Sequence, residues 1–215
     1  MVIEDFSQRN LSMVVGICGG SASGKSTFSR SLSEHLSDLG PEILNQDRYF
    51  RDWLDYLSGD RERVRTSNHP RAVLWDSLIH QVRRLIGGHC VQEPVPGTAA
   101  FQRIIERRVI NPGRLLIVEG HLIFSNADLR DYMDLKIYLD VDAHERVLRR
   151  MLRDTASETT TLDQASAWYR RDVITNFEVH TVATRKYADL VVPYETDVGA
   201  ATHVIASGIR GLVAC

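Results

Sequence analysis

The sequence predicts an α/β protein built in three layers, a central parallel sheet with helices on both faces. Three observations carry this. Apolar runs of strand length alternate with amphipathic runs of helix length, the pattern of βα units. Leu115–Val118 is apolar throughout, as expected of a strand buried on both faces. Residues 19–27 read GGSASGKST directly after the run Met13–Cys18. That places the phosphate-binding pattern G-x-x-x-x-G-K-[ST] between a strand and a helix.

In chain order, Val14–Cys18 is the first strand and Ser26–Leu39 a helix stopped by Gly40-Pro41. Glu42–Gln46 is a short second strand ending at Asp47. Residues 52–66 are charged and patternless, an exposed excursion. Pro70 opens a helix whose Trp75, Leu78, Ile79, Val82, Leu85 and Ile86 share one face, and Gly87-Gly88 ends it. Cys90–Pro96 and Ile104–Val109 read as two arms of a hairpin, and Asn111-Pro112-Gly113 as a turn. Leu115–Val118 and Leu135–Leu139 are central strands. Helix 143–153 carries an apolar stripe of Val147, Leu148, Met151 and Leu152. Its other stripe is Arg146, Arg149, Arg150 and Arg153. The polar stretch after it reads as a lid at 154–162. Leu162–Tyr187 is largely helical, Ala188–Pro193 is the last strand, and 198–213 closes the chain as a helix. One P-loop NTPase-type domain over 1–215 accounts for all of it. It has a nucleotide-binding core at 12–50, a small β-hairpin excursion at 90–110 and the helical lid.

Composition bounds the function. With 43% apolar and 25% charged residues the chain is an ordinary globular protein. A net charge of −2 argues against a general nucleic-acid or membrane-surface binder. The three cysteines, Cys18, Cys90 and Cys215, have no metal-ligand spacing and fit a reduced, cytoplasmic setting. Met1–Ser12 does not resemble a signal peptide, and no apolar run approaches the ~20 residues that cross a bilayer.

The phosphate loop assigns roles by residue type. Gly19, Gly20 and Gly24 let the backbone curl around Ser21, Ala22 and Ser23 so that N–H groups point inward. Lys25 brings a charge to the β- and γ-phosphates, Ser26 a hydroxyl for Mg²⁺, and Thr27 enters the helix whose N-terminus faces the phosphates. Gly19, Asp47 and Glu119 all end strands, and ligands of such sheets bind beyond the carboxyl ends. Phosphoryl transfer also needs a base, a metal and further cations. Asp47 is either that base or the cap of the next helical turn. Glu119 is either part of a Mg²⁺ site or a solvated residue at the top of the sheet. The Arg stripe either covers transferring phosphates or is a solvated face paired with Asp142 and Glu145. The histidines form no nucleophile or metal grouping; His121 either lines the cleft or packs.

The chain resembles the uridine kinase/phosphoribulokinase family of P-loop kinases, uridine kinases most closely. The matching segments are GGSASGKST at 19–27, QDRYF at 46–50, NHPRAVLWDSL at 68–78 and LLIVEGHLIF at 115–124. LRDYMDLKIYLDVD at 129–142, RVLRRMLRD at 146–154 and TRKYADLVVP at 184–193 follow. The resemblance implies that Asp47 is the catalytic aspartate and that Ser26, Asp47 and Glu119 surround Mg²⁺. It also implies that Arg150 and Arg153 reach the nucleotide or the moving phosphoryl group. Tyr49, Asn68, Phe101, Arg103, His121 and Trp168 fall on the acceptor side, as does the hairpin excursion.

The departures from the family pattern lie on that side. Uridine kinases carry an Asp before the His-Pro pair that binds the ribose diol, where this chain has Asn68. Their Tyr-Asp-Phe-x-x-His-x-Arg segment corresponds to Pro96–Arg103, which keeps only the arginine. Their lid pattern Glu-Arg-Gly-Arg becomes Ser157–Thr160, and a lid-helix Gln becomes Trp168. The reading is a kinase using ATP, or another NTP, with Mg²⁺ to phosphorylate a hydroxyl of a nucleoside or related small molecule. The alternative is a nucleotide-switched ATPase without a small acceptor. Neither nucleic acid nor membrane is expected as a partner, and the resemblance allows a homo-oligomer.

Overall fold

The computed structural model describes residues 11, 13–103, 106–156, 160–193 and 199–214. Its main sheet has five parallel strands in the order β2-β5-β1-β6-β7. These are β1 (Met13–Gly19), β2 (Glu42–Asn45), β5 (Leu115–Glu119), β6 (Leu135–Asp140) and β7 (Leu190–Pro193). An antiparallel pair, β3 (Val91–Glu93) and β4 (Arg108–Ile110), stands apart from it.

Side chains alternate across the sheet and so feed two cores. On one face Val14, Cys18, Leu116, Val118 and Tyr138 pack with Leu78, Val82 and Leu85 of α3 (Trp75–Ile86). On the other, Val15, Ile17, Leu115, Ile117, Ile137 and Leu139 pack with Phe28 and Leu32 of α1 (Lys25–His35). Ile205 and Ile209 of α9 (Gly199–Ala214) complete that second core. The layers are therefore helix, sheet, helix, as the alternation predicted.

Several boundaries differ from the sequence reading. The first helix ends at His35, and Ser37–Leu39 is a separate 3₁₀ turn. The excursion at 52–66 holds α2 (Ser58–Val64), and Trp53 within it is buried. Between the hairpin arms lies a short helix, α4 (Ala99–Arg103); residues 104 and 105 of the second arm are outside the described set. After β5 comes α5 (Ala127–Arg130). The stretch read as one helix from Leu162 is α7 (Leu162–Trp168), a π-helical segment Tyr169–Ile174, α8 (Thr175–His180) and a 3₁₀ run Val182–Tyr187.

The stripes of α6 (Ala143–Thr155) are also reassigned. Leu148 and Leu152 are 61% and 73% exposed, whereas Arg146 is 4% exposed. Arg146 lies 4.0 Å over the Phe177 ring and donates to the Val141 carbonyl. Stacking and carbonyl contacts let a guanidinium go where an amphipathic pattern puts leucine. Of the predicted lid, residues 157–159 lie outside the described set. Among the described residues no helix is long and apolar enough to cross a membrane.

Candidate active site

The phosphate loop turns from β1 into α1 through backbone that only some residues tolerate. Gly24, the N-cap of α1, has φ +84°, in the left-handed region that glycine enters without steric cost. Gly20 is set by space: a β-carbon there would meet Arg146 Nη1 at 2.5 Å. No side chain caps the first turn of α1, which leaves its N–H groups to an anion. The buried Ser23 hydroxyl has no partner in the loop. Lys25 Nζ donates to the carbonyls of Gly19 and Gly20 at 3.0 and 2.8 Å. Burial lowers its pKa, against the nearby charges of Asp47 and Glu119.

Sheet register builds the acidic part of the site. β5 lies between β1 and β2, with Glu119 opposite Ile17 and Asn45. Glu119, 4% exposed, accepts from Asn45 Nδ2 at 2.8 Å, Ser26 Oγ at 2.9 Å and Ser29 Oγ at 3.1 Å. Burial still pushes its carboxyl pKa up, opposed by the Ser26 bond and Lys25. Asn45 does a second job: its Oδ1 accepts the Asp47 N–H at 2.7 Å and caps the 3₁₀ turn Gln46–Tyr49. The cap role left open for Asp47 is thus filled by Asn45. The Asp47 carboxylate stays largely exposed in the cleft, 3.8 Å from His121 Nδ1.

His121 is buried, and its Nε2 lies 2.8 Å from the Ser67 carbonyl. A carbonyl only accepts, so Nε2 carries the hydrogen and Nδ1 presents a lone pair in the neutral ring. Burial holds the imidazole pKa well below its ordinary value, so the neutral form prevails at pH 7.

From α6, Arg150 Nη1 donates to Ser21 Oγ at 2.7 Å and Nε to Asp154 at 2.8 Å. Arg153 is the more exposed and donates to the same Asp154 carboxylate.

A cavity of about 530 Å³ brings these groups together. Lys25, Ser26, Thr27, Asp47, Glu119, Arg150 and Arg153 line it, with Asn68 and His121 on the same wall system. Other predicted site residues sit elsewhere. Tyr49 is buried and its hydroxyl donates to Glu93 at 2.9 Å. Phe101 lies under Arg107, and Arg103 donates back to the Ala99 carbonyl. Trp168 stacks near Arg65 and Arg171 and lines a side cavity with Arg153 and Asp154. Conversely, Phe50, Ser67 and Asn45 line the main cavity and were not singled out from sequence. Phe50 lay inside the quoted QDRYF segment, the one available signal.

A parallel sheet with a glycine-rich loop, a lysine, a hydroxyl, two carboxylates and two arginines around one cleft defines a P-loop phosphotransferase. The chain matches the model of the phosphoribulokinase/uridine kinase family over residues 14–200 and belongs to that family. It is 34% identical to a uridine kinase of Chlamydia pneumoniae over 201 residues, 93% of this chain and 90% of that one. A uridine kinase of Staphylococcus epidermidis is also 34% identical, over 95% of this chain and 98% of its own length. The fold is shared with the solved D-glycerate 3-kinase of Cryptococcus neoformans. That match has a TM-score of 0.59 at 13% identity and covers 80% of this chain and 79% of the other. The chain is an ATP-dependent kinase acting on a hydroxyl of a small molecule, and the reading as a switch without an acceptor gives way to this.

Proposed function

We propose that the chain transfers the γ-phosphoryl group of ATP to a hydroxyl of a nucleoside-type alcohol, with Asp47 as base and Mg²⁺ as the metal. The observation that supports this best is the shared cavity of Lys25, Ser26, Asp47, Glu119, Arg150 and Arg153. The donor set suits Mg²⁺: Ser26, Asp47 and Glu119 offer only oxygen. Among the described residues there is no cluster of three or more His, Cys, Asp or Glu that would make an all-protein cage. Mg²⁺ characteristically takes much of its shell from phosphate and water. When bound, it neutralises charge on the phosphates.

The chain's own groups then divide the work. Asp47 takes the proton of the acceptor hydroxyl while the hydroxyl oxygen forms a bond to the γ-phosphorus. The bond from that phosphorus to the bridging oxygen breaks, and ADP leaves. Lys25, Arg150 and Arg153 stabilise the charge that develops. Neutral His121 beside Asp47 adds no competing cation.

The acceptor is read differently from uridine in a uridine kinase. Pro96–Arg103 lacks the Tyr and His of the family segment, and loss of base-specific hydrogen bonds costs up to about 10⁴-fold in discrimination. The test is ATP-dependent phosphorylation of uridine, cytidine and a panel of small polyols, read by mass spectrometry. The expected result is one phosphate gained by an alcohol other than uridine in preference to it. ATP hydrolysis with no phosphorylated alcohol would sink the kinase assignment. Efficient turnover of uridine would sink the altered acceptor.

A further inference from the structure

Asp172 lies outside every segment quoted for the family resemblance, yet it is 3% exposed and holds the wall of the acceptor side. It sits in the π-helical segment Tyr169–Ile174, a widened turn of the kind found at functional positions. Three donors from one loop converge on its carboxylate, and Asn176 Nδ2 reaches Oδ1 at 3.4 Å. The Thr66 hydroxyl donates to Oδ1, the Ser67 N–H to Oδ2 at 2.9 Å, and the Asn68 side-chain amide to Oδ2 at 2.7 Å. Asn68 is itself 4% exposed and lines the active-site cavity with Ser67, Asp47 and His121.

A carboxylate can only accept, so the Asn68 group facing it must be the NH₂. We infer that Asp172 is a positioning residue that sets the polarity of the acceptor site, turning Asn68 so that it offers an oxygen and not an N–H to the bound alcohol. The inference rests on the kinase reading above and deepens it. Its chemical content is the donor and acceptor polarity at Asn68. Asp47 receives the reacting hydroxyl, and Asn68 Oδ1 receives a hydrogen from a second hydroxyl or amine of the same molecule. This is the diol contact that uridine kinases make with an Asp, kept here by a neutral acceptor; an acceptor placing a carboxylate or phosphate there does not fit.

The charge that uridine kinases carry before the His-Pro pair is, in this chain, carried one contact further out by Asp172. That makes an unusual prediction. Asn68→Asp, which restores the family residue, places two carboxylates against each other. It should damage the site, and Asp172→Asn should repair part of it, because the swapped pair again has one amide donating to one carboxylate, at the cost of the Ser67 N–H bond to Oδ2.

The experiment compares wild type, N68D, D172N and N68D/D172N. Acceptor KM is measured with whichever alcohol of the panel the wild type phosphorylates, together with ATP KM and Tm. The expected result is a rise of about tenfold or more in acceptor KM for N68D, with ATP KM within about threefold, and a clear partial recovery in the double variant. D172N alone should raise acceptor KM by about three- to tenfold, since an amide at 172 can donate as well as accept and no longer fixes which Asn68 group faces the cleft, and an unchanged acceptor KM overturns the inference. Tm should follow the same pattern, a fall of roughly 5 °C for N68D that the second substitution partly recovers. An N68D enzyme as good as wild type, or a double variant no better than N68D, overturns the inference. If no alcohol is phosphorylated, the kinase reading fails, and the Tm cycle still decides whether the two positions are coupled.

Discussion

The side-chain oxygen of Asn45 accepts the backbone N–H of Asp47 at 2.7 Å, while the Asn45 amide nitrogen donates to Glu119 at 2.8 Å. One side chain thus caps the turn that carries Asp47 and holds Glu119 against α1. With the cap filled, the Asp47 carboxylate is left to the cleft. Asn45→Ala removes both bonds. It should cost about 1 kcal/mol of stability, the usual worth of a cap, and lower kcat without raising ATP KM more than a few-fold. Urea unfolding and steady-state kinetics check the two halves separately.

Glu119 is buried among three donors and its pKa is raised by that burial. Glu119→Gln keeps the shape but replaces one acceptor oxygen with a donor. Activity should fall about 10²-fold or more, and the Mg²⁺ concentration for half-maximal rate should rise. A titration of rate against Mg²⁺ reads this. An unchanged Mg²⁺ dependence would remove Glu119 from the metal's surroundings.

His121 predicts a pH dependence of stability. Its folded-state pKa lies below the unfolded value, so the unfolded chain binds the extra proton. Stability from this group is present above the ordinary imidazole pKa of about 6.5 and is lost as pH falls from there toward the folded value. The slope is at most about 1.4 kcal/mol per pH unit. His121→Gln should flatten the fall in unfolding free energy between about pH 7 and pH 5, where the ring titrates only on unfolding. An equal fall in the variant would show that other groups carry it.

Arg150 reaches from α6 to Ser21 in the phosphate loop, and Asp154 holds both Arg150 and Arg153. Arg150→Met should reduce kcat by about 10²-fold or more, in line with loss of a charge that acts on the transferring group. Asp154→Asn, which frees both arginines, should act in the same direction but less. Arg150→Lys should recover little, because a lysine cannot donate to two partners in one plane.

What was legible in the sequence followed local rules. The loop motif, the apolar central strands and the residues ending them are set by chain neighbours, so the meeting of Lys25, Ser26, Asp47 and Glu119 at one cleft could be expected from sequence. What was missed depends on contacts far apart in sequence. Asn45 matters because parallel register puts it beside Glu119. Asp172 matters because a π-helical turn brings it to a loop about a hundred residues earlier. Arg146 is buried because Phe177 and Gly20 enclose it, which no period along α6 reveals. Phe101 and Trp168 stand where uridine kinases carry acceptor-side residues, and neither lines the main cavity.

The central claim is that Asp47 takes the acceptor's proton. Asp47→Asn, assayed for phosphoryl transfer and for ATP KM on the same preparation, tests it most directly. In this variant kcat should fall about 10²- to 10⁴-fold, with ATP KM changed by no more than about threefold. Transfer at the wild-type rate would contradict it.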